Sequence, residues 1–106
     1  MTLIELVKYF RENGSLEKFQ KTNQIDPEVE VIEICMEKPI QIDSQLCFFN
    51  PEITENKTDF IYKDKEYQNL IDFFYFEDFI EESKGIKDKN NKYLAELLFK
   101  YAINDA

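Results

Sequence analysis

The chain contains no histidine, two glycines, three prolines and a single arginine among its thirteen basic residues. Each shortage excludes something. Without histidine there is no imidazole acid–base pair, no Ser-His or Cys-His nucleophile and no imidazole metal ligand. Two glycines, Gly14 and Gly85, cannot build a glycine-rich phosphate loop, and both fall where helices should stop. With one arginine against twelve lysines, the bidentate tools of phosphate recognition are missing. No apolar run approaches the roughly 20 residues of a membrane helix, and Glu5 interrupts the start MTLIELVKYF where a secretory signal would need its apolar core. The expected location is cytoplasmic, with no membrane partner. The two cysteines, Cys35 and Cys47, form no CxxC motif and read as free thiols, although a disulfide becomes geometrically possible if their segments pair as strands.

What is present in excess is negative charge. The 106 residues carry a net −9, unevenly spread. Residues 26–55 hold eight acids and one base, a net −7, whereas residues 1–25 come to +1 and residues 56–106 to −3. Such a field repels nucleic acid and anionic membrane and attracts a basic protein. The hydrophobic content of 43%, with ten Phe and six Tyr, suffices for one bulky core, so a single domain over residues 1–106 is expected.

Local signals give an order of elements. Thr2-Leu3-Ile4-Glu5 is a capping box, and Leu3, Leu6, Val7 and Phe10 follow helical spacing. Asn13-Gly14 ends that helix, with Gly14 expected in the left-handed conformation, and Ser15 can cap a short turn carrying Leu16 and Phe19. "DPEVEVIEICMEKP" reads two ways. Pro27 at a helix start would place Glu30, Glu33 and Glu37 on one face. The density of Val29, Val31, Ile32 and Ile34 favours a strand instead, with a bulge between Val31 and Ile32 where the alternation slips. The strand is the expectation, ended by Lys38-Pro39. "QLCFFN" gives a second strand closed by Asn50-Pro51, and "FIYKDKEY" a third strand or a hairpin.

"NLIDFFYFEDFIEES" reads as a strand from Leu70 to Phe76, apolar except for Asp72. It feeds a helix that starts at Glu77-Asp78 and stops at Gly85. Most of its aromatics are expected in the core. A last helix from about Lys89 to Ile103 carries the stripe Leu94, Leu97, Leu98 and Tyr101. The fold class is therefore α+β: an N-terminal helix, a small antiparallel sheet of about three strands and two C-terminal helices.

Catalytic candidates are thin: 22 acids single out no carboxylate pair, and a chain this short has little room for a deep pocket. Glu77, Asp78, Glu81 and Glu82 read as a solvated helix face rather than a cation site. Lys84, Lys87, Lys89 and Lys92 read as a solvated connection rather than a nucleic-acid contact. No cofactor and no metal are expected, and the chain is not expected to be an enzyme. Partner-binding candidates are the carboxylates Glu28, Glu30, Glu33, Glu37 and Asp43, which would steer association. The second group is Tyr62, Asp64, Glu66 and Tyr67, an aromatic pair around a charged turn that would supply affinity.

The segment "QIDSQLCFFNPE", followed at the end of the chain by "YAINDA", resembles a pattern in immunity proteins of bacterial contact-dependent-inhibition and other polymorphic-toxin loci, over about Gln41 to Ala106. The resemblance implies a class and transfers no site residues: a stoichiometric inhibitor of a basic toxin domain, often a nuclease. The alternatives are an acidic nucleic-acid mimic, whose carboxylate row would be Glu30, Glu33 and Glu37 on a helix, and a small non-catalytic adaptor.

Overall fold

The computed structural model describes residues 1–86 and 88–104. Lys87 of the basic stretch, and Asp105 and Ala106 at the end of the C-terminal motif, lie outside the described residues. The elements run α1 (Leu3–Arg11), α2 (Leu16–Thr22), β1 (Glu33–Glu37), β2 (Leu46–Phe49), α3 (Pro51–Thr54), β3 (Asp59–Tyr62), β4 (Lys65–Asp72), α4 (Phe73–Ser83) and α5 (Asn91–Asn104). The strands form one antiparallel sheet in the order β2-β1-β4-β3. The class is α+β as expected, with four strands because "FIYKDKEY" is a hairpin whose second arm extends through Asp72. Its two-residue turn, Lys63-Asp64, has φ of 50° and 66°, matching the twist of the flanking strands.

One face of the sheet carries the main core. Ile34 and Met36 from β1 and Leu46 from β2 meet Leu3, Leu6 and Val7 of α1, Phe73, Phe76 and Ile80 of α4, and Leu94 and Leu98 of α5. The Phe10 ring lies edge-on to Phe19, Phe73 and Phe76, at centroid distances of 5.3, 5.4 and 5.8 Å. Among the described residues no long helix packs on the opposite face. A second cluster forms there, with Cys35, Phe60 and Tyr67 buried and Cys47, Phe49 and Tyr62 packed around them.

The N-terminal capping box forms as the sequence indicates: the Glu5 amide donates to the Thr2 hydroxyl and the Thr2 amide to the Glu5 carboxylate. Its neighbour Gly14 is there for a different reason from the expected one. Asn13 takes the left-handed conformation, φ 64°, and Gly14 does not. A Cβ on Gly14 would run into the Tyr9 ring, which packs on Phe10 at 4.9 Å and donates its hydroxyl to the Ser15 carbonyl at 2.7 Å. The sole arginine, Arg11, binds the α4–α5 connection, donating to the carbonyls of Lys89 and Ile86 and to Asn91 Oδ1.

Three boundaries differ from expectation. The strand predicted from Val29 begins only at Glu33, and residues 24–32 form a loop that shares a cleft with Phe48 and Phe49 of β2. The bulge lies between Ile34 and Cys35 against β4 rather than between Val31 and Ile32, and it lets both Leu70 and Ile71 pack on the core. The aromatic run belongs to a helix, not a strand. β4 stops at Asp72, whose Oδ1 accepts the Tyr75 amide at 2.8 Å and caps α4 at once. Helical spacing then sorts the quartet: Phe73 and Phe76 are buried, while Phe74 is 60% exposed and Tyr75 also faces outward. The same sorting divides the stripe on α5. Leu94 and Leu98 are buried with Ala95 and Ala102, but Leu97 and Tyr101 are exposed.

Two stability outcomes follow. Phe76→Ala should cost about 3–5 kcal/mol, and Phe74→Ala no more than about 0.5 kcal/mol, in chemical denaturation. Gly14→Ala should destabilise by about 1–3 kcal/mol, because the Tyr9 ring must leave its aromatic contacts; Gly14→Ala combined with Tyr9→Leu should recover part of that loss.

Candidate functional site

The candidate residues fall at opposite ends of the sheet. β1 is five residues long, and the antiparallel register puts Glu37, Asp43 and the Lys63-Asp64 turn at one end, with Glu28, Glu30, Glu33 and Asp72 at the other. The length of β1 therefore separates the two groups.

At the Glu37 end, Tyr62 and Tyr67 belong to the aromatic cluster of the open sheet face. Tyr67 is buried, stacked on Phe60 at 5.6 Å, and Phe49 reaches Tyr62 and Tyr67 edge-on at 5.1 Å each. Burial, the neighbouring Cys47 and Glu37 push the Tyr67 hydroxyl up to about 12. Asp64 and Glu66 are exposed; Glu66 sits beside Tyr67 in the strand and so points to the other face. Glu37 is half-buried, with the Lys65 ammonium at 4.0 Å. Cys35 and Cys47 stand directly opposite each other across β1 and β2 as free thiols. Burial, and then the charge of Glu33, push the Cys35 thiol up; burial raises Cys47 as well.

At the other end, Glu28 and Glu30 are exposed on the 24–32 loop with Asp26, whose Oδ1 accepts the Glu28 amide at 2.9 Å. The loop borders a cleft of about 230 Å³ floored by Ile25, Val29, Phe48 and Ile53. Glu52 of α3 is also exposed. Among the described residues no base stands at ion-pair distance from Asp26, Glu28, Glu30, Asp43 or Glu52. The lysines near the sheet are engaged elsewhere: Lys38 with Asp59 at 2.6 Å and Lys57 with Glu55 at 3.2 Å.

Glu33 is the exception among the acids. It is only 8% exposed, and its Oε2 accepts the hydroxyl of the fully buried Thr54 of α3. It therefore cannot steer encounters as an exposed charge would. Nor do Glu30, Glu33 and Glu37 make a helical row, since Glu30 lies in the loop and the other two on a strand. Glu33 instead lines a pocket of about 320 Å³, together with Asn69 and Asp72 of β4, Lys57 before β3, Tyr75 of α4 and Tyr101 of α5. Glu33 and Asp72 are direct cross-strand partners, and the Tyr75 and Tyr101 rings are stacked at 5.5 Å and 12°. None of Lys57, Asn69, Asp72, Tyr75 and Tyr101 is a site candidate by sequence alone. The available signal was Asp72, the lone polar residue in an apolar run.

Among the described residues no group of three His, Cys, Asp or Glu side chains is placed to hold a metal ion, the acidic row of α4 included. Within that row, burial and then Asp78 and Glu81 raise the Glu77 carboxyl above the usual range. No helix among the described residues is long and apolar enough to cross a membrane. Comparison with family models, curated proteins and solved structures finds no match.

The buried thiols and Tyr67 give a pH signature. Each is held above its ordinary value in the fold, so its proton stabilises the native state. That contribution is complete below the ordinary value and is lost as pH rises through the folded one. Stability should begin to fall as pH approaches 9.0, where unfolded thiols are half ionised, and fall further above it. In a Cys35→Ala/Cys47→Ala variant the fall should begin only near 10.0, where Tyr67 takes over. Urea midpoints measured from pH 7 to 11 check both.

Proposed function

We propose that this chain is a stoichiometric inhibitor that docks on a basic protein and occludes it, in the manner of an immunity protein neutralising a toxin domain, most plainly a nuclease. The observation that carries the reading is Asp26, Glu28 and Glu30 exposed beside an apolar cleft, with no base among the described residues to neutralise them. Charge at the rim speeds and orients the encounter, and an apolar floor lets a docked side chain lose water. The composition of residues 26–55 and the resemblance of Gln41 to Ala106 to the immunity proteins support the same class. A nucleic-acid mimic is the weaker proposal, because it needs a regular carboxylate row and the Glu30, Glu33, Glu37 series does not form one.

Co-expression with the product of the adjacent upstream gene should yield a one-to-one complex and protect cells from that product. Glu28→Lys with Glu30→Lys should slow association by about tenfold at low ionic strength, with less effect on dissociation. Added salt should reproduce the slowing in the parent protein. An association rate indifferent to both would leave the acidity to solubility alone.

A further inference from the structure

We propose that Cys35 and Cys47 are a reversible redox pair, which a small disulfide such as oxidised glutathione converts into a bond tying the edge strand β2 to β1. The bond rests on the strand register and not on the docking reading.

The two cysteines are direct partners across the antiparallel pair, and their side chains share one sheet face with Phe49, Phe60, Tyr62 and Tyr67. Backbone hydrogen bonds fix which kind of pair they form. The Leu46 amide turns away from β1 and donates to the Met1 carbonyl at 2.8 Å, while the Lys38 amide turns toward β4 and donates to the Glu66 carbonyl at 2.9 Å. Successive residues of a strand aim their backbone groups to opposite sides. Cys35 and Cys47 therefore aim theirs at each other, as a hydrogen-bonded pair. Such partners stand about 5.5 Å apart at Cα, inside the range of about 4.4–6.8 Å that disulfides span. Their Cβ atoms, however, stand about 5 Å or more apart, where a disulfide needs about 3.5–4.5 Å. Closing the bond draws the strands together by about 1 Å. β2 is four residues long and stands at the sheet edge, so it can follow. The strain of closure makes the bond easy to reduce, which suits a switch rather than a permanent staple.

The two thiols differ in access, and that sets the order of events. Cys35 is fully buried, and its thiol donates a weak bond to the Glu33 carbonyl at 3.8 Å, which a side-chain rotation gives up at little cost. Cys47 is half-buried and lines a cleft with Phe49, Tyr62, Lys63 and Lys65. The two ammonium groups suit a reagent that carries carboxylates. Burial holds the Cys47 thiol above its ordinary value, so the reaction quickens as pH rises. The Cys47 thiolate attacks one sulfur of the small disulfide, whose S–S bond breaks, and one glutathione leaves as a thiolate with the bonding pair. Cys35 then loses its proton to water, attacks the Cys47 sulfur of the mixed disulfide and expels the second glutathione. The protein gives up two electrons and two protons, and the reagent is reduced to two thiols. β2 also carries Phe48 and Phe49 into the cleft beside the acidic loop, so the bond would stiffen that wall. An effect on a partner through the wall rests on the docking reading; the bond itself does not.

The test exposes the whole native chain to excess oxidised glutathione at mildly alkaline pH and follows its intact mass. The parent protein should lose two hydrogen atoms, with no cross-link between chains on a non-reducing denaturing gel. Cys35→Ala should stop at the mixed disulfide on Cys47, and Cys47→Ala should stay unreacted while folded. The oxidised parent should melt about 5 °C higher, because the bond closes the segment 36–46 in the unfolded chain against some native strain. Excess reduced glutathione should restore both the dithiol mass and the original melting temperature. The parent measurements need no variant, so the proposal stays testable if either substitution fails to fold. Four results would each overturn the pair: no loss of hydrogen from the native chain under conditions that oxidise the urea-unfolded chain, a bond formed only between chains, no rise in melting temperature on oxidation, or a bond that reduced glutathione does not reopen. Any of these would leave the docking reading standing on the salt dependence of the complex. A reversible bond with no complex would do the reverse.

Discussion

Asp72 ends β4 and caps α4 with no residue between the two elements, and most of the architecture follows from that junction. The carboxylate replaces a connecting loop: it satisfies the Tyr75 amide, while the next amide, Phe73 N, donates to the Ile32 carbonyl at 2.8 Å. α4 thus leaves the sheet in a fixed direction and drops Phe73 and Phe76 onto the face that α1 and α5 also cover. Without an N-cap acceptor a helix entrance of this kind loses about 1 kcal/mol. The larger cost of losing it here would be misdirection of two buried phenylalanines. The same carboxylate is forced opposite Glu33, so the constraint that orders the core also concentrates negative charge at one end of the sheet.

Much of this was legible in the sequence where local chemistry and tertiary packing agree. The Thr2–Glu5 box, the Ser15 cap and the "YKDK" turn each depend on neighbours within four residues, and the second short strand was marked by its apolar run and the Asn50-Pro51 stop. "DFFYF" was misread because four consecutive aromatics show neither a two-residue nor a 3.6-residue period. Aromatic density favours a strand by propensity, and the Asp72 cap, one residue in an apolar run, outweighed it. Val29 and Val31 misled in the same way. β-branched residues alone do not recruit a sheet partner, and the ladder begins only where β4 supplies one, at Glu33. Gly14 shows a subtler failure. Its position as a helix stop was readable, but its cause is the Tyr9 ring, a contact invisible without three dimensions.

The candidate site divides along the same line. Exposure of Glu28, Glu30 and Asp43 follows from their charge and could be read directly, although Glu28 and Glu30 lie on a loop rather than beside the expected strand from Val29. The burial of Glu33 could not, because it depends on Thr54, twenty-one positions away, packing a short helix against the sheet. Tyr62 and Tyr67 were reasonable anchors by type, yet they are occupied with Phe49 and Phe60 in a cluster on the sheet face opposite the main core. Aromatics recruited to shield a sheet have less freedom to meet a partner than aromatics on the outside of a helix.

That difference redistributes the division of labour between charge and contact. Long-range steering needs exposed carboxylates without internal counterions, and the 24–32 loop presents them near the Glu33 end of the sheet. Short-range affinity needs groups that gain more from a partner than from water. A half-exposed ring such as that of Tyr101 meets that condition, whereas an ion-paired surface lysine does not. Both kinds of group gather at the end of the sheet where β1 begins and β4 stops. The lysine-rich turn and the Lys65–Glu37 pair occupy the opposite end.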